Sequence, residues 1–503
     1  MALTQLHTRA REGIHAPGVN VEIHISSGLP AFTIVGLPEA AVRESRDRVR
    51  SAIINSGFQF PARRITVNLA PAELPKEGGR YDLAIALGIL ASSEQLDPRP
   101  LHNCELYAEL ALSGELRPVA GLLPALVACE HEDRDAIIAS ADEPLAGLLP
   151  ALRARHAANL ATICAALNGG EPLPAISHTE LPPEPEYQYD LAEVIGQTQA
   201  RRALELAAAG GHHMLMMGPP GTGKSMLAHR LNTILPLMDQ DEALRTMSIH
   251  SVSNQPPKEW SGWRLRPFRS PHHTVSGVAL VGGGSQPKPG EISLANHGVL
   301  FLDELTEFDR KTLEVLREPL ETGEVHIARA ARQVSFPADF QLVAAMNPCP
   351  GGCESIEQCT CSAEQLTRYR NRLSAPLLDR IDIQIELPKL PRADLLQQKI
   401  GDQETSLAVR QRVSIARSRQ LARQGCLNAR MSNRQIEQHC ALDAVGKRLL
   451  GQAIEKLGLS ARSYHRLLKL ARTIADLEGL ELIDTRSITE AVNYRRNGLL
   501  TRH

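Results

Sequence analysis

Residues His212–Leu231 read "HHMLMMGPPGTGKSMLAHRL" and decide how the middle of this chain folds. The four apolar residues before the first glycine predict a buried strand, and the residues after the serine predict a helix. The glycine-rich loop between them is typical of loops whose backbone N–H groups wrap nucleotide phosphates. The loop residues to which we assign nucleotide binding are Gly218, Pro219, Pro220, Gly221, Thr222, Gly223, Lys224 and Ser225. Lys224 is expected to contact the β- and γ-phosphates of ATP, and Ser225 is expected to hold Mg²⁺.

Two further apolar strands end in polar residues that suit the same chemistry. "HGVLFLDEL" ends in Asp303 and Glu304, and "FQLVAAMN" ends in Asn347. We assign Asp303 to the Mg²⁺ ion and Glu304 to the water that attacks the γ-phosphate. Asn347 is expected to hydrogen-bond that water or the γ-phosphate. A lone asparagine at a strand end is more often a turn former, but as the third such end in order it supports a nucleotide site.

Length, composition and charge restrict the class of protein. The 503 residues are enough for two to four domains, and 43% hydrophobic with 22% charged residues is ordinary for a globular chain. The formal net charge is −2, so any nucleic-acid contact has to be local, in a loop or a channel. No apolar run is long enough to span a bilayer, and the first residues lack the apolar core of a secretory signal. We therefore expect a cytoplasmic protein with reduced cysteines and no membrane partner.

Composition and periodicity divide the chain into four parts. Residues 1–168 alternate strand-like runs such as "RITVNLA" with helix-like runs, which predicts an α/β or α+β domain. Residues 169–189 are rich in proline and glutamate and predict a linker. Residues 190–390 alternate short buried strands with helices, which predicts an α/β domain with a mainly parallel sheet. Residues 391–503 carry apolar side chains at helical spacing and predict a helical domain.

The order of the three strand ends, followed by a helical part, resembles the AAA+ ATPases from Asp190 to about Val492. The segment "RLSAPLLDRIDIQIEL" is similar to the one that ends with the arginine finger, which implies that role for Arg380, with Arg372 as the nearby competitor. "LSARSYHRLLKLARTIADLEG" is similar to the lid helix with the second sensor arginine, which implies Arg462. Without the motif context, each arginine would better fit a solvated helix face or a structural ion pair. An arginine supplied by a neighbouring subunit also implies a ring, a homo-hexamer.

The sequence before Asp303 and Glu304 indicates which branch of the AAA+ ATPases this chain resembles. It contains "RPFRSPHHTVSGVALVGGGSQPKPGEISLANHGVLFLDEL", which resembles the branch with an insertion in its second helix, including magnesium chelatase subunits and replicative helicases. "GEVHIARAARQVSFPADFQLV" is similar to the β-hairpin that faces the central pore in that branch. The resemblance implies that His326, Arg329 and Arg332 contact a nucleic-acid backbone. A solvated hairpin tip is the alternative for each of them.

Adjacent histidines in "SPHHTVS", His272 and His273, have the residue type of metal ligands. No carboxylate or third histidine lies near them in the sequence. We therefore interpret them as a loop or pore contact.

The N-terminal domain resembles the Lon protease domain, which has the ribosomal protein S5 domain 2-like fold. The resemblance rests on "APAELPKEGGRYDLAIALGILASS" and "LSGELRPVAGLLPALVAC". Arg80 stands where the nucleophilic serine of active members would be, and Leu123 stands where their lysine would be. Without the nucleophile no acyl-enzyme can form, so the resemblance implies a DNA-binding or ring-forming scaffold rather than a protease. Lys76, Arg80 and "VRESRDRVRSAI" would suit a basic surface, although solvated helix charges explain them equally well.

Taken in order, the Lon-like domain, the linker and the chelatase-like ATPase are similar to the ComM/YifB family over nearly the whole chain. The resemblance implies an ATP-driven hexameric DNA helicase that promotes branch migration of incoming single-stranded DNA during natural transformation. Single-stranded and branched DNA would be its partners. The alternative is a chelatase- or MoxR-like remodelling ATPase that acts on a protein partner.

Four of the nine cysteines lie in "NPCPGGCESIEQCTC", directly after Asn347. Cys349, Cys353, Cys359 and Cys361 would together supply four thiolates for a tetrahedral structural Zn²⁺ site. The spacing lacks two C-x₂-C pairs, and a reduced loop with incidental cysteines is the alternative. A redox switch would additionally need a lowered thiol pKa. We favour zinc, because a Gly/Pro loop without an apolar core needs something to fix its shape.

Overall fold

The computed structural model describes residues 2–178, 187–254, 262–284, 287–329, 332–353, 359–390, 403–457 and 460–495. Their contacts form two compact units. The first contains Met1–Glu184 with Leu244–Trp263, and the second contains Pro185–Ala243 with Arg264–His503. Residues 179–186 of the predicted linker lie outside the described residues, as do residues 391–402 at the predicted start of the helical domain.

The first unit is built on a seven-stranded mixed sheet. Its strands are β1 (Ala2–Arg9), β2 (Gly18–Ser26), β3 (Ala31–Val35), β4 (Arg64–Ala70), β5 (Cys104–Tyr107), β8 (Asp135–Ala139) and β9 (Ala154–Ala157), and a separate pair is formed by β6 (Glu109–Leu110) and β7 (Leu116–Arg117). The sheet order is β3-β4-β2-β1-β5-β8-β9. Strand β2 pairs antiparallel with β1 and β4, whereas the β3–β4, β1–β5, β5–β8 and β8–β9 pairs are parallel. In β2 and β4 the apolar residues alternate toward the core, as their sequence pattern predicts.

Helices cover this sheet. They are α1 (Ala40–Arg43), α2 (Ser45–Asn55), α3 (Asp82–Ser92), α4 (Leu123–His131), α5 (Glu143–Ala146) and α6 (Leu160–Leu167). Helix α3 reads "DLAIALGILAS", and every one of its residues is buried. A helix that is apolar on all sides lies inside a core, and α3 packs against β1 and β2.

The second unit contains a five-stranded parallel sheet. Its strands are β10 (Met214–Met217), β11 (Phe268–Arg269), β14 (Val299–Leu302), β17 (Gln341–Met346) and β18 (Ile383–Glu386), in the order β11-β14-β17-β10-β18. All residues of β10, β14 and β17 are buried, as expected for central strands covered on both faces. The predicted α/β architecture with a parallel sheet is confirmed.

Helices and two small hairpins surround this sheet. The helices of this unit are α7 (Thr198–Gly210), α8 (Lys224–Ile234), α10 (Gly277–Val281), α11 (Glu291–Leu294), α12 (Arg310–Glu314), α13 (Arg317–Thr322), α14 (Ala363–Arg370) and α15 (Ala375–Leu378). Helix α9 (Gln240–Ser251) begins in this unit, and its residues from Leu244 onward belong to the first unit. The hairpins pair β12 (Gly282–Gly283) with β13 (Lys288–Pro289) and β15 (Glu324–Arg329) with β16 (Arg332–Pro337). The second hairpin is the one expected from "GEVHIARAARQVSF".

The described C-terminal residues are helical, as their apolar spacing predicts. The helices are α16 (Ser406–Gln424), α17 (Asn433–His439), α18 (Ala444–Leu457), α19 (Ala461–Leu477) and α20 (Thr485–Asn493). Side chains of Thr405, Ser460 and Asp484 cap the first turns of α16, α19 and α20. None of the described helices is both long enough and apolar enough to cross a bilayer.

Candidate functional site

Three strand ends form the candidate nucleotide site. Strand β17 lies between β14 and β10 and pairs in parallel with both. The residues that follow these strands therefore meet at one edge of the sheet, which is where ligands bind in open parallel sheets. The structure thus brings together the glycine-rich loop, the Asp303–Glu304 pair and Asn347.

The glycine-rich loop has the open backbone that phosphate binding requires. Gly221 and Gly223 have φ angles of +80° and +88°, in the region that favours glycine. No atom beyond the chain neighbours lies within 4 Å of the position that a Cβ would take on either residue. Thr222 closes the loop by donating from Oγ1 to the carbonyl of Pro219 at 3.0 Å. Helix α8 begins directly after the loop at Lys224, so its free N–H groups and positive dipole face the loop.

Lys224 connects two of the three strand ends. Its Nζ donates to the carbonyl oxygens of Gly218 at 2.6 Å and Pro219 at 3.0 Å, and to Oδ1 of Asn347 at 3.1 Å. Burial lowers the pKa of Lys224, and the nearby charge of Asp303 opposes that shift. A polyphosphate offers the same ammonium group charged acceptors, which form stronger hydrogen bonds than carbonyl oxygens.

Ser225 and Asp303 form the pair expected to hold magnesium. The hydroxyl Oγ of Ser225 donates to Oδ2 of Asp303 at 2.6 Å. A hydroxyl and a carboxylate are hard oxygen donors, the type that Mg²⁺ prefers beside substrate phosphates. The two residues would therefore suit a Mg²⁺ ion, which would supply positive charge beside the phosphates of ATP.

Glu304 turns away from the strand and has a histidine partner. Its φ angle of +53° is rare for a residue with a side chain, and it bends the chain sharply after β14. The Glu304 side chain is 57% exposed, and its Oε2 lies 3.5 Å from Nδ1 of His273. His273 stacks on His272, with 4.1 Å between the ring centroids.

The sequence shows no carboxylate near His272 and His273, whereas the structure places Glu304 beside His273. Their role as a loop or pore contact stays a prediction. Glu304 is distant in the sequence but follows β14, and β11 pairs in parallel with β14. The histidines follow β11, so they reach the same sheet edge. A short edge strand at "PFR" would have predicted that the histidines and Glu304 lie at the same sheet edge.

Arg380 and Arg462 lie elsewhere in the unit, around one carboxylate. Nη2 of Arg380 lies 2.7 Å from Oε1 of Glu321, and Nη2 of Arg462 lies 3.5 Å from the same oxygen. The Arg380 side chain is only 7% exposed, whereas that of Arg462 is 67% exposed. The sequence does not predict this role of Glu321, because an acidic residue on a short helix gives no signal of such a contact.

Arg380 precedes β18 and is therefore at the opposite sheet edge from the chain's own glycine-rich loop. Strand β18 pairs in parallel with β10, with Ile383 opposite Met214 and Glu386 opposite Met217. The stretch from Ile383 to the residue opposite Gly218 spans about 13 Å. Arg380 lies three residues before Ile383, outside that stretch. Its guanidinium group forms an ion pair with Glu321.

The competing arginine, Arg372, lies near the carboxyl edge instead. Its Nη1 donates to the carbonyl of Thr306 at 2.7 Å and lies 3.1 Å from Oε2 of Glu307. Thr306 follows Glu304 by two residues, so Arg372 is beside the acidic strand end of its own chain. In helix α14, Tyr369 likewise donates from its hydroxyl to the carbonyl of Asn347 at 3.1 Å.

The hairpin residues expected to contact DNA are only partly described. His326 lies on β15, and its side chain is 42% exposed. Its Nε2 lies 3.8 Å from Oε2 of Glu324. The backbone of Arg329 and Arg332 closes the hairpin as an antiparallel pair. Their side chains lie outside the described residues.

The four clustered cysteines converge on one point. Their sulfur atoms all lie within 4.8 Å of one another, and within the described chain they form the one group of three or more candidate ligands able to hold a metal ion. Cys349 is buried, and Cys353, Cys359 and Cys361 are half-buried. The backbone N–H of Thr360 lowers the pKa of Cys353 to about 7. Four thiols at this separation match the donor set of a tetrahedral tetrathiolate site.

Two residues of the expected basic surface are buried, which corrects that expectation. Lys76 is 0% exposed and donates to the carbonyl of Pro71. Arg80 is 4% exposed and donates to the carbonyl of Ala120 at 2.6 Å. Both side chains bond to backbone carbonyls inside the first unit, so neither can form a DNA-binding surface. Leu123 begins α4 and is also buried.

Family models and individual relatives match this chain over almost all of its length. The model described as magnesium chelatase, subunit ChlI, matches residues 190–395. A model described as subunit ChlI of Mg-chelatase matches residues 21–143, and one described as its C-terminal part matches residues 403–495. Competence protein ComM of Haemophilus influenzae is 50% identical over 98% of both chains. Uncharacterized protein YifB of Escherichia coli K12 is 49% identical over 98% of this chain and 97% of its own. Uncharacterized protein Rv2897c of Mycobacterium tuberculosis is 40% identical over 99% of both.

Proposed function

Because this chain belongs to the ComM/YifB family of magnesium chelatase-like proteins, we propose that it is an ATP-driven motor that acts on DNA. The observation that carries the ATPase part is the junction of three strand ends, in which Lys224 contacts Asn347 and Ser225 contacts Asp303. A lysine, a hydroxyl, two carboxylates and an amide at one sheet edge are the groups that phosphoryl transfer to water requires.

Each residue of this edge has a separate task in the proposed reaction. The loop backbone and Lys224 bind the phosphates of ATP. Ser225 and Asp303 hold Mg²⁺, which neutralises phosphate charge when it is bound. Glu304 accepts a proton from the attacking water, and its exposed position beside the edge leaves room for that water. Asn347 orients the water or the γ-phosphate from the neighbouring strand.

We propose that Arg380 completes the site of a neighbouring subunit in a homo-hexameric ring. Its position at the opposite sheet edge supports this role, because it faces away from the glycine-rich loop of its own chain. Arg462 shares Glu321 with Arg380, so the same geometry supports action in trans for both arginines. Arg372 lies beside its own Thr306, which favours a role within its own subunit.

The DNA part of the proposal rests on the family and on the hairpin. One relative is named a competence protein, which suggests uptake and recombination of DNA. The β15–β16 hairpin carries His326, Arg329 and Arg332, and we propose that these residues follow the backbone of single-stranded or branched DNA in the ring pore. The proposed activity is helicase-driven branch migration during integration of incoming single strands.

A second candidate function is remodelling of a protein partner, as in magnesium chelatase. The match of residues 190–395 to a chelatase subunit favours it. ATPase rates measured with and without single-stranded and forked DNA separate the two. A DNA motor should be stimulated by DNA and should displace an annealed strand, whereas absence of DNA binding and of stimulation would leave the remodelling function.

The Lys224→Ala variant tests the site itself. It should lose nucleotide binding and turnover, because the substitution removes the phosphate-binding ammonium group. Retained turnover would contradict the assignment.

We propose that the domain boundaries are those suggested by the sequence: residues 1–168, a linker at 169–189, the ATPase core at 190–390 and a helical lid at 391–503. The first of these would be a Lon-like domain without protease activity, because Arg80 and Leu123 replace the serine and lysine that proteolysis needs. A casein-degradation assay on the wild-type protein tests this. ATP-dependent cleavage would refute it.

We also propose that Cys349, Cys353, Cys359 and Cys361 bind one structural Zn²⁺ ion. The convergence of four sulfur atoms supports it. Such an ion fixes the loop and has no open position for catalysis. Elemental analysis of the purified chain should give about one zinc per chain, and a value well below one would contradict the site.

A further inference from the structure

The cysteine cluster closes around a glycine. A Cβ atom on Gly351 would lie 2.9 Å from Sγ of Cys361, 3.5 Å from Sγ of Cys353 and 3.9 Å from Sγ of Cys349. A side chain at this position would therefore occupy the space between the sulfur atoms. The turn is tight, because two N–H groups donate to Cys349. The N–H of Gly352 donates to the Cys349 carbonyl at 3.1 Å, and the N–H of Cys353 donates to Sγ of Cys349 at 3.2 Å.

The next glycine lies against the phosphate-binding loop. A Cβ atom on Gly352 would be 3.2 Å from both Cγ and Cδ of Pro220. The backbone of Gly352 is thus in close contact with the Pro220 ring, and only a residue without a side chain fits there comfortably. Its φ angle of +63° also favours glycine.

The two ends of the cysteine loop lie beside Asn347. Cys349 follows Asn347 by two residues. After Cys361 the chain enters helix α14, whose Tyr369 donates to the carbonyl of Asn347. The amide oxygen of Asn347 in turn accepts from Lys224. The turn between Cys349 and Cys353 therefore contacts Pro220 through Gly352 and is joined to Asn347 through the chain.

We propose that the metal-filled cysteine cluster holds the Asn347 loop against Pro220, so that ATP turnover depends on metal occupancy. This inference rests on the proposed ATPase and zinc sites and adds a regulatory role to the second. The physical reason is that three of the four cysteines are only half-buried and the loop is rich in glycine and proline. Without an ion, little burial holds the thiols of Cys353, Cys359 and Cys361 in one arrangement. A loosened loop displaces Asn347, and a shift of about 1 Å at a positioning residue lowers turnover by about 100-fold.

Cysteine variants test the dependence on the metal. Cys359→Ser and Cys361→Ser should lose zinc and lower kcat at least about tenfold, with KM for ATP changed less than about threefold, because Lys224 and the loop glycines remain. Cys426→Ser is the matched control, since Cys426 is also half-buried but lies in the helical part, near Gln435. It should keep both zinc and turnover. Variants that lack zinc but hydrolyse ATP at the wild-type rate would overturn the inference and leave the ATPase proposal intact.

A glycine pair tests the contact without touching the ligands. Gly352→Ala should retain zinc and lower kcat, because its methyl group would press on Pro220. Gly425→Ala is the control for backbone strain, because Gly425 has a φ of +74° but nothing within 4 Å of the added atom. Equal kcat values in the two variants would overturn the role of the Pro220 contact.

A spectroscopic measurement on the wild-type chain avoids variants that fail to fold. Co²⁺ in place of zinc should give the visible absorption of a tetrahedral thiolate site, and addition of a non-hydrolysable ATP analogue should shift that absorption. The Lys224→Ala protein should show the Co²⁺ spectrum without the shift. A wild-type spectrum that nucleotide leaves unchanged, with nucleotide binding shown independently, would overturn the coupling. Failure to bind nucleotide at all would instead refute the ATPase proposal.

Discussion

Two inactive variants of this protein should restore each other's activity when mixed. Lys224→Ala disables the nucleotide site of its own subunit but leaves Arg380 in place. Arg380→Ala leaves the nucleotide site intact but removes the arginine supplied to the neighbour. If Arg380 acts in trans, a mixed ring contains interfaces in which an intact site faces an intact arginine.

The need for a second subunit follows from the geometry, and the size of the recovery follows from random mixing of the two variants. Arg380 precedes the start of β18, and from Ile383 the strand runs about 13 Å to the residue opposite Gly218, where the glycine-rich loop begins. An arginine in trans contributes a factor of about 10³–10⁵ to phosphoryl transfer, so each variant alone should be nearly inactive. With random assembly at equal amounts, about one quarter of the interfaces in a closed ring combine an Arg380→Ala site with a Lys224→Ala neighbour. The mixture should therefore recover about one quarter of the wild-type turnover per subunit.

A steady-state ATPase titration across mixing ratios measures this. The recovery should peak at equal amounts and vanish at either extreme. The control mixture is Arg372→Ala with Lys224→Ala, which should stay inactive if Arg372 acts beside its own Thr306. Co-assembly, followed by energy transfer between labelled variants, must be shown in parallel. Variants that co-assemble without recovering activity would refute the action of Arg380 in trans, and recovery in the control mixture would transfer the role to Arg372.

Further substitutions test single side chains. Glu304→Gln should bind ATP normally but lower turnover about 10²–10⁴-fold, because the amide cannot accept the proton of water; equal losses of binding and turnover would contradict that role. His273→Ala should lower kcat about tenfold without weakening ATP binding, because Glu304 loses its partner at 3.5 Å, and an unchanged kcat would show that the contact has no catalytic effect. Asp142→Asn should stabilise the first unit at pH 8 but not at pH 4. Burial raises the pKa of Asp142 to about 7, and its Oδ2 has no hydrogen-bond partner among the described residues. The free energy of unfolding therefore falls as the pH rises from the ordinary carboxyl pKa to about 7, by at most about 4 kcal/mol in total. Thermal unfolding at both pH values measures the difference.

The meeting of the three strand ends could be predicted because each of its parts is local in sequence. An apolar run followed by a glycine-rich loop, or by Asp303 and Glu304, needs only a strand that ends where its apolar residues end. The sheet order β14-β17-β10 then brings the ends together. The sequence could not show that Glu321 joins Arg380 to Arg462, since that contact depends on how α13, α15 and α19 pack.

The burial of two charged side chains is the other feature that the sequence could not predict. Lysine and arginine are usually exposed, so Lys76 and Arg80 were expected at a surface. In the structure both donate to backbone carbonyls inside the first unit. Every residue has a backbone carbonyl, so the sequence does not show which carbonyl a lysine or arginine will contact in the folded chain.

If Arg380 is catalytic, as we propose, the positions of the proposed catalytic groups require a second subunit. Lys224, Asp303, Glu304 and Asn347 lie at the carboxyl edge of the parallel sheet, whereas Arg380 precedes β18 at the amino edge. A rigid sheet cannot bring its two edges together. If Arg380 contacts a γ-phosphate, that phosphate belongs to another chain, and the ion pair with Glu321 has to give way when the neighbour binds. Because the guanidinium group is almost fully buried in that pair, assembly and nucleotide binding should be coupled through Glu321.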